Sequence, residues 1–168
     1  MKTAIRPWEK EDAKQLSIAA NNENVSNNLR DGFPFPYTEK DAEEWIALNE
    51  DKEQPNNFAI TADGQVVGGI GFLQKENIYR KTAEIGYWLD ENYWNKGITT
   101  EAVRLLVDYI FSNLDIDRIY SEVFSTNPAS MKVAEKNGFH LEAVHRKAII
   151  KNNQVRDAYV WVKFRDGL

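Results

Sequence analysis

The residues best placed to bind a ligand lie where a predicted strand is followed by a helix, at residues 92–102. This segment contains one glycine, Gly97, just before the predicted helix. A helix start carries free backbone N–H groups and the positive end of the helix dipole, so it can bind a phosphate without a basic side chain. Glycine at that point lets a ligand approach the backbone closely. The sequence therefore predicts a phosphate site formed by the amides of residues 95–99.

A second glycine cluster, Gly68, Gly69 and Gly71, does not predict a nucleotide site. A dinucleotide fingerprint needs its glycines between a strand and a helix, whereas these lie inside a strand pattern. Strand glycines more often indicate close backbone packing or a bulge. Because no Gly-Lys-Ser/Thr ending is present, nucleoside-triphosphate hydrolysis is also disfavoured.

The apolar spacing and the turn residues predict the element order βααβββαβαββ. Asp63-Gly64 and Asn152-Asn153 are typical of hairpin turns, and Thr38 with Asp41 resembles a capping box. The predicted strands are 3–8, 58–61, 66–72, 82–90, 117–124, 141–150 and 155–164, and the predicted helices are 9–20, 38–48, 98–113 and 128–136.

Two further segments interrupt this pattern. The asparagine-rich residues 21–28 are predicted to break or shorten the first helix. Residues 30–37 contain two prolines and three aromatic side chains, which predicts an ordered loop without regular structure. We call residues 30–37 the aromatic loop.

Composition limits the class of protein. A chain of 168 residues with 42% hydrophobic residues predicts one globular domain over residues 1–168. The absence of cysteine excludes disulfides and thiolate chemistry and fits a cytoplasmic location. A net charge of −5 disfavours nucleic-acid binding. Neither a signal peptide nor a membrane span is predicted, because the sequence has no suitable apolar stretch. His140 and His145 have no metal-ligand spacing, so that no metal is expected.

Residues 83–89 and 93–102 resemble the acetyl-CoA-binding core of the GNAT N-acetyltransferase family, and more narrowly its RimL-like branch. The resemblance covers nearly the whole chain and also rests on residues 29–37, 38–45, 127–130, 137–139 and 153–159. It implies an α+β fold, an αβα sandwich whose mixed, mostly antiparallel sheet splays at the acetyl-CoA site. The phosphate is then the pyrophosphate of coenzyme A.

The resemblance also implies which residues bind acetyl-CoA. The pantetheine arm is expected to bond to the backbone near Trp88 and Leu89, and Trp88 is either a core aromatic or a wall of the acyl pocket. The expected cofactor-binding residues are Trp88, Leu89, Asn95, Lys96, Gly97, Ile98, Thr99, Thr100 and Asn127. The family usually has glycine or alanine at position 99 and often glycine at position 95. We expect binding to be retained, because the Thr99 hydroxyl can donate to a phosphate oxygen.

The implied reaction is direct attack of an amine on the thioester in a ternary complex, without an acyl-enzyme. The tyrosine acid of many relatives is absent, because Ala134 occupies its position, and the RimL-like branch places a serine where Ser130 stands. Ser130 is either this acid or a residue that satisfies the start of a helix. Glu84 is the first candidate base and Glu122 the second; the alternative for Glu84 is a structural hydrogen bond or ion pair.

A glutamate that some relatives carry in the penultimate strand is not transferable, because the chain is apolar near Ile149. The aromatic loop matches the acceptor-side segment of the family, and Phe33, Phe35 and Tyr37 either shape the acceptor pocket or cover the core.

The acceptor implied by the branch is a protein N-terminal α-amine. The alternatives are a small amine, such as a polyamine or an antibiotic, and an acyl-CoA-binding regulatory module that has lost the chemistry. Relatives often form homodimers, and no nucleic-acid or membrane partner is expected.

Overall fold

The computed structural model describes residues 1–50 and 52–167. Its helices are α1 (Ala13–Ala20), α2 (Glu23–Ser26), α3 (Glu39–Asn49), α4 (Ile98–Asn113) and α5 (Pro128–Lys136). Its strands are β1 (Thr3–Pro7), β2 (Asn57–Ala62), β3 (Gln65–Gln74), β4 (Thr82–Leu89), β5 (Arg118–Phe124), β6 (His140–Lys151) and β7 (Gln154–Phe164). Short 3₁₀ turns are formed by Lys10–Asp12, Asn77–Tyr79 and Glu91–Tyr93.

The strands follow the hydrogen-bonded order β1-β2-β3-β4-β5-β7-β6. Strands β4 and β5 pair in parallel, whereas β1–β2, β2–β3, β5–β7 and β6–β7 pair antiparallel. A mostly antiparallel sheet with one parallel pair, flanked by helices, confirms the predicted α+β class. The predicted element order is also confirmed, apart from the additions of α2 and the 3₁₀ turns.

The chain forms two compact units. The first comprises Met1–Gly71 and Tyr87–Ala102, and the second comprises Phe72–Gly86 and Val103–Leu168. The division falls inside β3, β4 and α4, so these three elements contribute residues to both units. The single domain predicted from the sequence therefore stays a prediction.

The first unit packs α1 and α3 around an apolar cluster. Trp8, Leu16, Tyr37, Ala42 and Ile46 are buried there, together with smaller side chains. Helix α3 begins with the predicted capping box, in which Thr38 Oγ1 accepts from the Asp41 amide at 3.1 Å and the Asp41 carboxylate accepts from the Thr38 amide at 2.7 Å. The cap fixes the point at which the aromatic loop ends.

The strand glycines allow close packing in the first unit, as predicted. A Cβ atom on Gly68 or Gly69 would come closer than 3.0 Å to the backbone oxygen or the indole nitrogen of Trp88. A β-bulge also interrupts the β2–β3 register between Ile60 and Thr61. Both parts of the strand-glycine interpretation are confirmed.

The predicted hairpins form around left-handed turn residues. In the first unit, Asp63 and Gly64 have φ values of 49° and 87°, and in the second unit Asn152 and Asn153 have 52° and 59°. Two consecutive left-handed residues match the right-handed twist of the flanking strands. Asparagine and aspartate tolerate this conformation better than most other residues.

The asparagine-rich segment differs from expectation, because it contains a helix of its own. Asn22 caps α2 by accepting from the amides of Asn24 and Val25 at 2.8 and 3.2 Å. The first predicted helix ends at Ala20, as expected, but it is shorter at its start, because residues Lys10–Asp12 form a 3₁₀ turn and α1 begins at Ala13. Asn22 begins the new helix because its side chain satisfies amides of the first turn.

Candidate active site

The predicted phosphate site lies between β4 and α4 in the first unit. The first intrahelical hydrogen bond of α4 runs from the Glu101 amide to the Gly97 carbonyl at 3.1 Å. The amides of the first helical turn therefore precede the intrahelical ladder, as anion binding requires. Residues Trp94 to Gly97, which we call the phosphate turn, are exposed, whereas Ile98 is buried and anchors the helix.

Two residues of the phosphate turn adopt left-handed backbone conformations, with φ of 60° at Asn95 and 79° at Gly97. No described atom lies within 4 Å of the position that a Cβ atom on Gly97 would take. The φ angle thus favours glycine at position 97. The sequence analysis explained this glycine by the close approach of a ligand and did not predict its left-handed conformation. The left-handed φ also explains why asparagine can stand at position 95, where relatives often have glycine.

Hydrogen bonds within the first unit hold the phosphate turn. The Trp94 indole donates to the Leu89 carbonyl at 2.8 Å, and Asp90 caps the following 3₁₀ turn by accepting from the Asn92 amide at 2.9 Å. The Lys96 ammonium donates to the Asn92 carbonyl at 2.8 Å. Lys96 therefore stabilises the turn itself.

Trp88 belongs to the packed interior of the first unit. Its ring lies 5.4 Å from the ring of Phe33 in an edge-on arrangement, and its indole nitrogen faces Gly69. These contacts favour the core interpretation of its side chain. Because the Leu89 carbonyl already accepts from Trp94, the backbone N–H groups of this strand end are the stronger candidates for cofactor bonds.

The three aromatic side chains of the aromatic loop have different surroundings. Phe33 packs 5.1 Å from Tyr37, and Tyr37 is buried in the apolar cluster. Burial, followed by the nearby Asp41 carboxylate, raises the pKa of Tyr37 to about 12. Phe35 is 48% exposed. Tyr37 is thus part of the core, Phe33 packs against it while partly buried, and Phe35 is the most exposed of the three.

In the second unit, Glu84 is held in an ion pair. Its Oε2 accepts from the Lys75 ammonium at 2.7 Å and from the Tyr120 hydroxyl at 3.0 Å, and its side chain is 13% exposed. The hydrogen bond to Glu84 raises the pKa of Lys75, and burial is the main cause that raises the pKa of Tyr120. These contacts favour the structural interpretation of Glu84 over its role as a base.

Glu122 lies beyond the end of the parallel ladder. The β4–β5 register covers Thr82, Ala83 and Glu84, and its last pair is Glu84 with Tyr120. Glu122 follows two residues later on β5, 37% exposed, with its Oε1 3.9 Å from Nδ1 of His145. The other histidine, His140, packs against Phe164 with the ring centroids 5.7 Å apart.

Asn127 and Ser130 both lie at the start of α5. Asn127 is the N-cap, and its Oδ1 accepts from the Ser130 amide at 3.2 Å. Asn127 is therefore the N-cap of α5, and Ser130 lies three residues further along, in the first turn of the helix. Ala134 is buried in the same helix.

The family described as an acetyltransferase (GNAT) domain matches residues 2–140. The chain belongs to the GNAT acetyltransferase family. Because the match includes the aromatic loop, the phosphate turn and the start of α5, the predicted site residues all lie inside a known GNAT domain.

Several GNAT relatives are similar in sequence. A probable N-acetyltransferase of Bacillus subtilis, YjcK, is 40% identical over 113 residues, 67% of this chain and 62% of that protein. A ribosomal-protein-serine acetyltransferase of Escherichia coli is 33% identical over 110 residues, 66% of this chain and 61% of that protein. Each of these two alignments therefore covers about three fifths of the relative's own length. A spermidine N(1)-acetyltransferase of Escherichia coli is 28% identical over 160 residues, 92% and 81% of the two chains.

Solved GNAT structures share the fold. RimL, a ribosomal-protein α-N-acetyltransferase in complex with coenzyme A, superimposes with a TM-score of 0.87 at 22% identity, covering 100% of this chain and 97% of that chain. Within residues 1–50 and 52–167 there is no group of three or more side chains suited to a metal ion. In the same residues, no helix is long and apolar enough to cross a membrane.

Sequence reasoning missed the partners that surround the GNAT site residues. Lys75 and Tyr120, which donate to Glu84, belong to no recognised motif. The hydrogen bonds from Asn22 and Asn24 to Glu91 were not predicted either. Asp157 stood inside a recognised segment, but its contacts with a bulge in β6 were not foreseen. In each case the contact joins residues of different elements, for which one sequence provides no signal.

Proposed function

We propose that the chain is an acetyl-CoA-dependent N-acetyltransferase whose acceptor is a protein N-terminal α-amine. Membership of the GNAT family supports the reaction, and the ribosomal-protein-serine acetyltransferase supports the class of acceptor. The choice of acceptor rests on the hydrogen bonds that Lys75 and Tyr120 donate to Glu84.

The amides of residues 95–99 bind the pyrophosphate of coenzyme A in this proposal. The exposed phosphate turn and the helix start supply N–H donors and the positive end of the helix dipole. The pantetheine arm adds to β4 like a further strand, since the β4–β5 register ends at Glu84. The complex of RimL with coenzyme A supports the choice of cofactor.

The ion pair of Glu84 favours an acceptor that is already partly neutral. An α-amine has a pKa of about 7.7–8.0 and an alkyl amine about 10.4, so that at pH 7.5 roughly a third of α-amines are neutral, against about one alkyl amine in a thousand. An enzyme whose first candidate base is committed to a lysine therefore gains most from an α-amine. Glu122, more exposed, is the remaining carboxylate that could accept the released proton.

In the proposed reaction, the neutral amine forms a bond to the thioester carbonyl carbon and the carbon–sulfur bond breaks. Backbone N–H groups of β4 polarise the carbonyl oxygen. The Ser130 hydroxyl passes its proton to the departing sulfur, which leaves as the thiol, and the proton lost by the amine is relayed through Glu122 or water back to Ser130. The products are the acetylated amine and coenzyme A.

A small amine is the second candidate, and one observation favours it. The spermidine N(1)-acetyltransferase aligns with 92% of this chain, a larger share than the ribosomal-protein-serine acetyltransferase. A cytoplasmic location and a homodimer are further parts of the proposal that rest on sequence arguments alone.

The test is an acetylation screen with acetyl-CoA as donor and mass as readout. The panel contains peptides with a free N-terminus, the same peptides blocked at the N-terminus but carrying a lysine, spermidine, and amine antibiotics. We expect acetylation of the free N-terminal peptides and little of the blocked ones. Acetylation of spermidine or an antibiotic alone would replace the first candidate by the second. Tight binding of acetyl-CoA without amine-dependent thiol release would instead favour the regulatory module.

A further inference from the structure

The asparagine-rich segment that begins α2 contacts two loops of the first unit. Asn21 Oδ1 accepts from the backbone amide of Tyr37, in the aromatic loop, at 3.0 Å. Asn22 Nδ2 donates to Glu91 Oε2 at 2.8 Å, and Asn24 Nδ2 lies 3.1 Å from both carboxylate oxygens of Glu91. One short segment is therefore hydrogen-bonded to the aromatic loop at one end and to Glu91 at the other.

Glu91 lies directly before the phosphate turn. It begins the 3₁₀ turn Glu91–Tyr93, and the amide of Trp94, the first residue of the phosphate turn, donates to the Glu91 carbonyl at 3.1 Å. The hydrogen bond from Asn22, followed by that from Asn24, lowers the pKa of Glu91. The carboxylate is therefore ionised at neutral pH, and its bonds to the two amides are charge-assisted.

Capping alone does not explain the asparagine at position 22. Its Oδ1 caps α2, a role that aspartate or serine performs equally well. Only asparagine also presents an N–H₂ group, and this group is the one that donates to Glu91. An aspartate at the same place would keep the cap and direct a second carboxylate at the first.

We propose that Asn21, Asn22 and Asn24 are positioning residues that link the aromatic loop to the phosphate turn through Glu91. When coenzyme A binds at the phosphate turn, Glu91 is held in place, the asparagine segment is ordered, and the Tyr37 amide becomes more protected. The inference rests on the proposed function, because it takes residues 95–99 as the cofactor site and the aromatic loop as the acceptor side. The link makes cofactor binding favour acceptor binding, and by reciprocity the reverse.

The experiment uses coenzyme A as the only ligand and Asn22→Asp, Glu91→Gln and their double variant. In Asn22→Asp two carboxylates face each other, and in Glu91→Gln the acceptor loses its charge and one of the two oxygens that Asn22 and Asn24 share becomes an N–H₂ group. In the double variant a glutamine can donate to an aspartate, so that the bond is restored with donor and acceptor exchanged. Asn28→Asp is the matched control, because Asn28 donates to the Asn24 carbonyl at 3.0 Å and not to Glu91.

Calorimetry measures coenzyme A binding, and hydrogen exchange measures the Tyr37 amide with and without saturating coenzyme A. In the wild type and in Asn28→Asp we expect coenzyme A to slow the exchange about tenfold, within the usual range of coupling between sites. In each single variant the slowing should fall to about twofold or less, and the double variant should regain most of it.

The outcomes separate the two proposals. If the wild type does not bind coenzyme A, the proposed function fails and the link with it. If it binds coenzyme A but the Tyr37 amide exchanges at an unchanged rate, the link is wrong and the proposed function stands. Protection that persists in Asn22→Asp, or that the double variant fails to regain, also overturns the link, because the change would then travel by another route.

Discussion

Asn127 and Ser130 share the first turn of α5, and the structure separates their roles. Asn127 uses its side-chain oxygen to cap the helix by accepting from the Ser130 amide at 3.2 Å. A serine three residues into a helix gains nothing from capping when an asparagine already does so. The half-buried Ser130 hydroxyl stays our proposed proton donor, and Asn127 caps the helix that carries it.

Ser130→Ala should lower kcat by about one to two orders of magnitude, as expected for loss of a positioned proton donor. The KM for acetyl-CoA should change by less than about twofold, because the hydroxyl acts on the departing sulfur rather than on binding. Steady-state kinetics with the acceptor found in the screen measures both. Ser112→Ala, an exposed serine of α4, is the control, and an unchanged kcat in Ser130→Ala would remove Ser130 from the mechanism.

At the scale of the element, the phosphate turn combines a strained backbone with a binding task. Gly97→Ala should raise the KM for acetyl-CoA about tenfold, equivalent to about 1.4 kcal/mol, because an alanine at φ 79° shifts the amides that bind the pyrophosphate. Gly64→Ala is the matched control: Gly64 also has a positive φ, and a Cβ there also meets nothing within 4 Å.

Both glycine variants should lose similar stability in urea, about 1 kcal/mol each, because the left-handed conformation costs any L-residue a similar amount. Only Gly97→Ala should change the KM. A KM that rises equally in both variants would mean that the effect comes from lost stability, and would argue against the phosphate turn as the cofactor site.

The bulge in β6 is a second element with a defined cause. The β6–β7 register shifts between His145 and Ile149, and Lys147 has a φ of 54°. The Asp157 carboxylate accepts from the Lys147 amide at 2.8 Å and from the Arg146 guanidinium at 3.0 Å. The Asp157 carbonyl also accepts from the Ser125 amide at 3.0 Å. One residue of β7 thus holds the bulge and the chain that leads into α5.

Asp157→Asn should destabilise the chain at neutral pH and much less in acid. The bond from the Lys147 amide, followed by that from Arg146, lowers the pKa of Asp157 from its ordinary 3.8. A lowered pKa in the folded state means that the contribution is present above about pH 4 and is lost as the pH falls through the lowered value. Urea midpoints of wild type and variant should therefore differ at pH 7 and converge as the pH falls well below 4.

Asp108→Asn is the control for this prediction. Asp108 forms an exposed ion pair with Arg104 at 2.6 Å, one turn away on α4, and such pairs contribute little to stability. A pH-independent loss of stability in Asp157→Asn would show that the carboxylate charge is not what holds the bulge.

The same elements explain how far prediction from sequence reached. The Asp63-Gly64 and Asn152-Asn153 turns were predictable, because the residues that form them also determine their φ angles. The bulge at Lys147 was not, since a lysine rarely adopts a positive φ, and here a residue of the paired strand, Asp157, compensates for it. Helix α2 was missed for a related reason: the Asn22 side chain also bonds to Glu91, 69 residues away.

In the candidate site, too, local features were predictable from the sequence and contacts between elements were not. The position of the phosphate turn followed from a local pattern, one glycine before a helix, and the α5 start from Asn127-Pro128. The ion pair of Glu84 could not be predicted, because Lys75 directly follows β3 and Tyr120 lies in β5. Residue types and spacing thus predicted where the phosphate turn and the start of α5 lie, whereas the charge environment of the candidate base required tertiary contacts.

At the scale of the whole molecule, the two compact units are not separated along the chain. The division falls within β3, β4 and α4, so that the sequence passes from one unit to the other inside elements rather than in linkers. A helix or strand is cooperative along its length, because each residue is held by bonds to its neighbours in the ladder. Independent unfolding of the units would have to break these elements in the middle.

We therefore expect one cooperative unfolding transition, as the predicted single domain requires. The amides of Ile60 in the first unit and Val162 in the second are both in fully buried residues, and hydrogen exchange should give them the same free energy of opening. Coenzyme A at about 100 times its Kd should raise both by about 2.7 kcal/mol, because it binds only the folded chain. Two different free energies, or a rise confined to Ile60, would show that the units unfold separately and would contradict the single domain.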